Sequence, residues 1–181
     1  MRRDAPTEPW LSFLNEIERD LDSRTDLHCI GGFAVVQAYG LERATADLDV
    51  ISIVPHETGR HLAEIAGKES MLRQKYGIYL DTVGVASVPE DYPDRMIPLY
   101  ANCWQKLRLF ALEAHDLALT KLERNFERDR ADVAHLARSG FLNAETLRAR
   151  YFDEMRPYVI GRTEWHDQTL QMWIDSCWPS S

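Results

Sequence analysis

The chain has 181 residues, the length of one compact domain or of a core with a helical appendage, and its 45% apolar content supplies a buried interior and excludes global disorder. Its 21 lysines and arginines stand against 29 aspartates and glutamates, a net charge of −8. That balance opposes the broad basic footprint of a protein that grips nucleic acid through many phosphates, so any RNA or DNA contact is expected to be local. Apolar runs such as residues 29–41 are interrupted well short of the ~20 residues a membrane span needs. The start, MRRDAPTEPW, leads into an acidic helix-like segment instead of an apolar signal core. A cytoplasmic protein without membrane association is expected.

Taken in chain order, residues 9–23 predict a helix, because Trp10, Leu14, Ile17 and Leu21 recur at steps of four, three and four. Residues 26–30 read as a short buried strand. A Gly31-Gly32 turn follows, then a helix over 32–39 closed by Gly40, a residue type favoured just past helix ends. Residues 47–54, DLDVISIV, are β-branched and alternate, which puts Asp47, Asp49, Ile51 and Ile53 on one face and Leu48, Val50, Ser52 and Val54 on the other. Residues 57–68 predict a helix, 77–88 a strand with a break at Gly84, and 89–95 a proline-rich loop. The stretches 95–101 and 106–112 look like a closing hairpin. From residue 113 onward the composition shifts to helix over 113–140, 143–155 and 163–178, with turn signals at Gly140 and in 156–162. The expected fold class is therefore α+β: a small mixed sheet flanked by helices over 1–112, and a helical part over 113–181 packed on it.

Two aspartates at i and i+2 on one strand face repel each other unless something neutralises them. Mg²⁺ suits such a pair, since it takes hard oxygen ligands, keeps several waters and completes its shell from substrate phosphates. The glycines fit the same chemistry. Without a Cβ they admit a phosphate close to the backbone, and the following helix N-terminus presents free N–H groups and a positive dipole end. Asp47 and Asp49 are thus candidate metal ligands, with Gly31 and Gly32 cradling the triphosphate of an NTP.

The order strand, Gly-Gly, helix, basic residue, D-x-D strand resembles the nucleotidyltransferase fold of the DNA polymerase β superfamily, on Gly31, Gly32, Asp47 and Asp49. The stretch 31–50 looks most like its minimal bacterial members, in which an arginine and a threonine or histidine precede the D-x-D. Arg43 and Thr45 occupy those places and would join the nucleotide site. The resemblance also implies a third carboxylate from a later strand, as metal ligand or general base. Asp81, in IYLDTV, is the candidate; Asp91 and Asp94 sit in the proline loop, a poor place for a rigid ligand.

The segment 116–136 resembles a helix-loop-helix of small bacterial nucleotidyltransferase-like proteins and, more distantly, segments of abortive-infection type IV toxins. Lys121, Arg124 and Arg128 fall at helical steps and would form a cationic face for the triphosphate, with Lys121 the first candidate; Arg124, Arg130 and Asp132 are weaker ones. The competing reading is a solvated salt-bridge face, since Arg128 and Asp132 stand four apart. The six histidines are scattered and read as structural or exposed. Cys29, Cys103 and Cys177 lack metal-ligand spacing and read as reduced. Trp165, Trp173, Trp178 and Met172 read as a packed C-terminal helix.

The resulting expectation is a Mg²⁺-dependent nucleotidyltransferase moving an NMP from an NTP to a hydroxyl of a protein or tRNA, with a cognate antitoxin as a partner. Two alternatives stand beside it. One is modification of a small molecule, because the chain also looks like aminoglycoside and lincosamide nucleotidyltransferases; the other is a non-catalytic nucleotide-binding module.

Overall fold

The computed structural model describes residues 4–84 and 86–179. The first three residues, with their two arginines, and Val85 in the strand-like stretch 77–88 lie outside the described residues. Residues 1–85 with 96–111 make one compact unit, and residues 86–95 with 112–181 a second.

The first unit runs α1 (Trp10–Asp20), β1 (Thr25–Cys29), α2 (Gly31–Tyr39), β2 (Asp47–Val54), α3 (Thr58–Ala66), α4 (Met71–Tyr76), β3 (Tyr79–Thr82), β4 (Ile97–Leu99) and β5 (Leu107–Ala111). The strands form one mixed sheet in the order β3-β2-β1-β5-β4. The pairs β1–β5 and β2–β3 are parallel, while β1–β2 and the β4–β5 hairpin are antiparallel. The α1 stripe is buried as its spacing predicts, at Trp10, Phe13, Leu14, Ile17 and Leu21. Trp10 meets Phe33 of α2 edge-on at 4.7 Å between ring centroids. The Glu18 carboxylate accepts the backbone N–H of Gln105, Lys106 and Leu107, which fixes the start of β5 against α1.

Side chains of strand residues paired in register lie on the same face, which sorts the sheet into two sides. Leu27 pairs with Ile53 and Leu109, Cys29 with Val50 and Ala111, and Leu48 with Leu80. All of these are buried, and they form the core face. The other face carries Asp26, His28, Asp47, Asp49, Ser52, Asp81, Arg108 and Phe110. Here the expected alternation of β2 is corrected. The β1–β2 register shifts between His28 and Cys29, whose partners are Ser52 and Val50, so Ile51 is an extra bulged residue. The bulge inverts the phase: Ile53 turns into the core instead of sharing a face with the aspartates, and Ser52 and Val54 leave it. The aspartates themselves precede the bulge and keep their shared face.

The second unit contains a 3₁₀ turn (Tyr92–Arg95), α5 (Ala114–Leu119), α6 (Glu127–Arg138), α7 (Ala144–Arg150), π and 3₁₀ turns over residues 151–158, and α8 (Thr163–Cys177). The single helix expected over 113–140 is two helices. The chain breaks at Asn125, which takes φ 47, a left-handed conformation that asparagine tolerates better than most residues. Its side-chain oxygen accepts the Trp173 indole N–H at 3.1 Å, and its carbonyl accepts Arg130 Nη1 at 2.5 Å. The helix expected over 143–155 likewise ends at Arg150 and passes into the π turn. In α8, Trp173 is buried as expected, whereas Trp165 and Met172 are exposed. An ion-pair network ties α5 to α7: Asp116, fully buried, accepts Arg95 at 2.9 Å and Arg150 at 3.0 Å. Beside it, burial pushes the Glu113 carboxyl up, but its bonds to His115 and Arg150 outweigh this and bring it down to about 2. His115 Nε2 accepts the Asn143 N–H, so its Nδ1–H donates to Glu113.

Candidate functional site

Local packing at the start of α2 builds the site. Gly31 has φ +65, and a Cβ there would overlap Asp49 Oδ2 and stand 2.9 Å from Asp49 Cγ. Only a glycine allows the turn after β1 to close onto that carboxylate. At Gly32 a Cβ would come within 2.8 Å of Arg43 Nη2 and 3.0 Å of Thr45 Oγ1. The two glycines therefore stack against the residues the sequence singled out. The N-cap residue Ile30 has no polar side chain to cap α2, and a helix N-terminus favours negative charge. The helix ends at Gly40 in the left-handed conformation, as its position predicts.

Thr45 Oγ1 donates to Asp47 Oδ1 at 2.8 Å, which fixes that carboxylate's rotamer. Asp49 pairs in register with Asp81 on the adjacent parallel strand, and Asp47 with Tyr79. With strands spaced ~4.8 Å apart, Asp47, Asp49 and Asp81 share one face at neighbouring positions, all of them partly accessible. Among the described residues, however, no three carboxylate, histidine or cysteine side chains are gathered as a metal cluster. Asp81 turns to another partner: its Oδ2 accepts Lys68 Nζ at 2.7 Å. That hydrogen bond, with the charge of Asp81 and then of Tyr79 and Asp49, holds the Lys68 ammonium above the ordinary lysine range.

Lys68 is the site residue that sequence reasoning missed. It follows Gly67 at the end of α3, and nothing in AGKES reveals that this corner meets the edge strand carrying Asp81. The short helix α4 behind it was also unread, although Ser70 caps it by accepting the Arg73 N–H at 3.1 Å.

A cavity of about 400 Å³ opens where β2 and β3 end, between Val50, Ile53, His56, Arg60 and Thr82. None of the three aspartates lines it. Cys29, on the core face, has its thiol pushed far up by burial and is no nucleophile. Burial likewise lowers His28, against the opposing pull of Asp26.

The remaining candidates lie in the second unit. Lys121 is only 2% exposed and bonds Asp132 at 2.8 Å and Asp129 at 3.5 Å. Its surroundings are thus buried, which corrects the solvated face considered above, and it lies in the turn between α5 and α6, so it shares no continuous helix face with Arg128. Arg124 also bonds Asp129, at 3.0 Å. Asp94 lies in the 3₁₀ turn of this same unit and Asp91 immediately precedes it.

Strand, glycine turn, helix and a D-x-D strand packed back onto that turn now stand together as a fold. The chain belongs to the family described as nucleotidyltransferase of unknown function (DUF6036). The family model matches residues 11–176 and so spans both units. No curated protein and no solved structure matches the chain. The family description gives nucleotidyl transfer as the general chemistry and leaves the acceptor open. No helix among the described residues is long and apolar enough to cross a membrane.

The donor set fits a hard divalent cation. Asp47 and Asp49 supply two adjacent carboxylates from one strand face, and the missing side chain at Gly31 lets the Asp49 carboxylate lie directly against the start of α2. Two protein ligands are what Mg²⁺ uses when phosphates and water complete its shell.

Proposed function

We propose that the chain transfers a nucleoside monophosphate from an NTP to an acceptor hydroxyl, in a Mg²⁺-dependent reaction centred on Asp47 and Asp49. The observation that carries this reading is the contact of Gly31 with Asp49, which joins the phosphate-binding turn to the metal-binding carboxylates in one local structure. Gly31 and Gly32, at the start of α2, offer backbone N–H groups and the helix dipole to the triphosphate. Arg43, beside Gly32, adds a charge that complements phosphate geometry. Thr45 holds Asp47 in its ligating orientation. Mg²⁺, when bound, neutralises phosphate oxygens and orients them for in-line displacement.

Asp81, on the same sheet face, takes the proton of the acceptor hydroxyl as its oxygen attacks the α-phosphorus. The bond from that phosphorus to the β-phosphate oxygen breaks, and pyrophosphate leaves. The chain's contribution is positioning and charge placement, the two effects that dominate phosphoryl chemistry.

The test is incubation of the protein with each α-labelled NTP, Mg²⁺ and cell extract, followed by separation of protein, tRNA and small-molecule fractions. Label is expected in the protein or tRNA fraction, and Asp47→Asn and Asp49→Asn should each abolish it while the thermal midpoint holds. Label in the small-molecule fraction would assign an acceptor of the aminoglycoside type. Labelling that survives in both variants overturns the metal-site assignment.

A further inference from the structure

Lys68 is held at the edge of the carboxylate face by several independent features. A Cβ at Gly67 would overlap the Ala63 carbonyl oxygen and lie 3.1 Å from its carbon, so the tight exit from α3 requires glycine there. The Ser70 N–H then bonds the Gly67 carbonyl at 3.1 Å, closing a turn with Lys68 at its second position. The ammonium stands 5.4 Å from the centre of the Tyr79 ring, on the strand that carries Asp81, and the Arg73 guanidinium lies 5.7 Å from the same ring. The turn, the ring and the ion pair all direct one compact positive charge onto Asp81.

We propose that Lys68 is the second cation of this centre: its ammonium occupies Asp81, so the three carboxylates take a single divalent ion, held by Asp47 and Asp49. The inference rests on the metal-dependent reading above and refines it. A two-ion arrangement clamps attacking and leaving oxygens between metals placed ~4 Å apart, and the second of them would need a carboxylate beyond the Asp47–Asp49 pair. In this chain the neighbouring carboxylate is committed to an ammonium at 2.7 Å, and no three acidic side chains converge among the described residues. One ammonium and one divalent ion also balance three carboxylates in charge. The ammonium engages Oδ2 of Asp81, and the second oxygen is left to receive the acceptor's proton. An ammonium is part of the chain, so this half of the centre is filled without a second metal.

Titration of the full chain with Mn²⁺ alone, reading free Mn²⁺ by electron paramagnetic resonance, tests the proposal without reference to turnover. Wild type is expected to bind one ion, as is Lys68→Arg, which keeps the charge. Lys68→Met should bind two, and the double variant Lys68→Met/Asp81→Asn should return to one, because the added ion requires the released carboxylate. Lys68 and Asp81 are both partly exposed, and equal thermal midpoints would show that the variants fold. Two ions on wild type, or one ion of unchanged affinity on Lys68→Met, overturns the role of Lys68 while leaving the metal site standing. Absence of Mn²⁺ binding to any of the four proteins overturns both readings together.

Discussion

Gly31 and Gly32 are adjacent and chemically identical, yet the structure assigns them unequal tolerance. An alanine at 31 would need a left-handed backbone, which costs ~1–2 kcal/mol, and would drive its Cβ into the Asp49 carboxylate, which a strand holds in place. An alanine at 32 meets the far ends of Arg43 and Thr45 at 2.8 and 3.0 Å, and flexible tips can move by a few tenths of an ångström. Gly31→Ala is therefore expected to lower the thermal midpoint and to weaken Mn²⁺ binding, whereas Gly32→Ala should weaken nucleotide binding chiefly, with a smaller effect on Mn²⁺ through the Thr45–Asp47 hydrogen bond. Melting curves and Mn²⁺ titrations on the two variants check this. Equal behaviour of both would mean that the turn is a connector and not part of the site.

At the scale of elements, legibility in the sequence follows how much of each signal is local. The α1 stripe, the Gly40 cap and the strand bearing Asp47 and Asp49 depend on residues within a few positions of one another, and each could be read. The β2 bulge could not. Ile51 fits either face of a strand, and only pairing with β1 shows that it is the extra residue. Nor does the break between α5 and α6 announce itself, because LERNFERD contains neither glycine nor proline and Asn125 is an ordinary helix residue until its φ turns positive. The helix α4 has six residues, too few to display a period. In the candidate site, the glycine turn before α2 and the shared face of Asp47 and Asp49 can be read from spacing and residue type, while the pairing of Lys68 with Asp81 depends on a meeting of the α3 exit and β3 that no spacing encodes.

That break also decides what Lys121 does in its own unit. The turn after α5 buries the ammonium against Asp132 and Asp129, and Asp129 in turn accepts the Phe126 N–H at 3.1 Å at the start of α6. Removing one partner of a buried pair leaves a charge uncompensated, at a cost of ~3–5 kcal/mol. Lys121→Met is expected to destabilise the protein on that order, and Lys121→Met/Asp132→Asn to recover part of the loss. Denaturant midpoints measure both variants, and nucleotide titration of the folded protein measures the alternative role. A weakened affinity with little stability change would return Lys121 to the triphosphate.

At the scale of the whole molecule, the excess of acidic over basic residues bears on how a macromolecular acceptor is held. If tRNA is the acceptor, phosphate contacts can come only from a few local cations, because a long-range positive field is not available to an anionic chain. Each neutralised phosphate contributes to the fall of log K with log salt, by ~0.9 for duplex and ~0.7 for single-stranded nucleic acid. A protein relying on six or more such contacts would lose its affinity steeply between 50 and 200 mM salt. Here the slope is expected to stay shallower than about 3, with recognition resting on the acceptor end and on the bound nucleotide. Filter binding of labelled tRNA over that salt range, with and without an NTP, reads the slope directly. A slope steeper than about 5 would show a basic surface hidden within the net charge and would make the acceptor's backbone, instead of its reacting end, the chief determinant of binding.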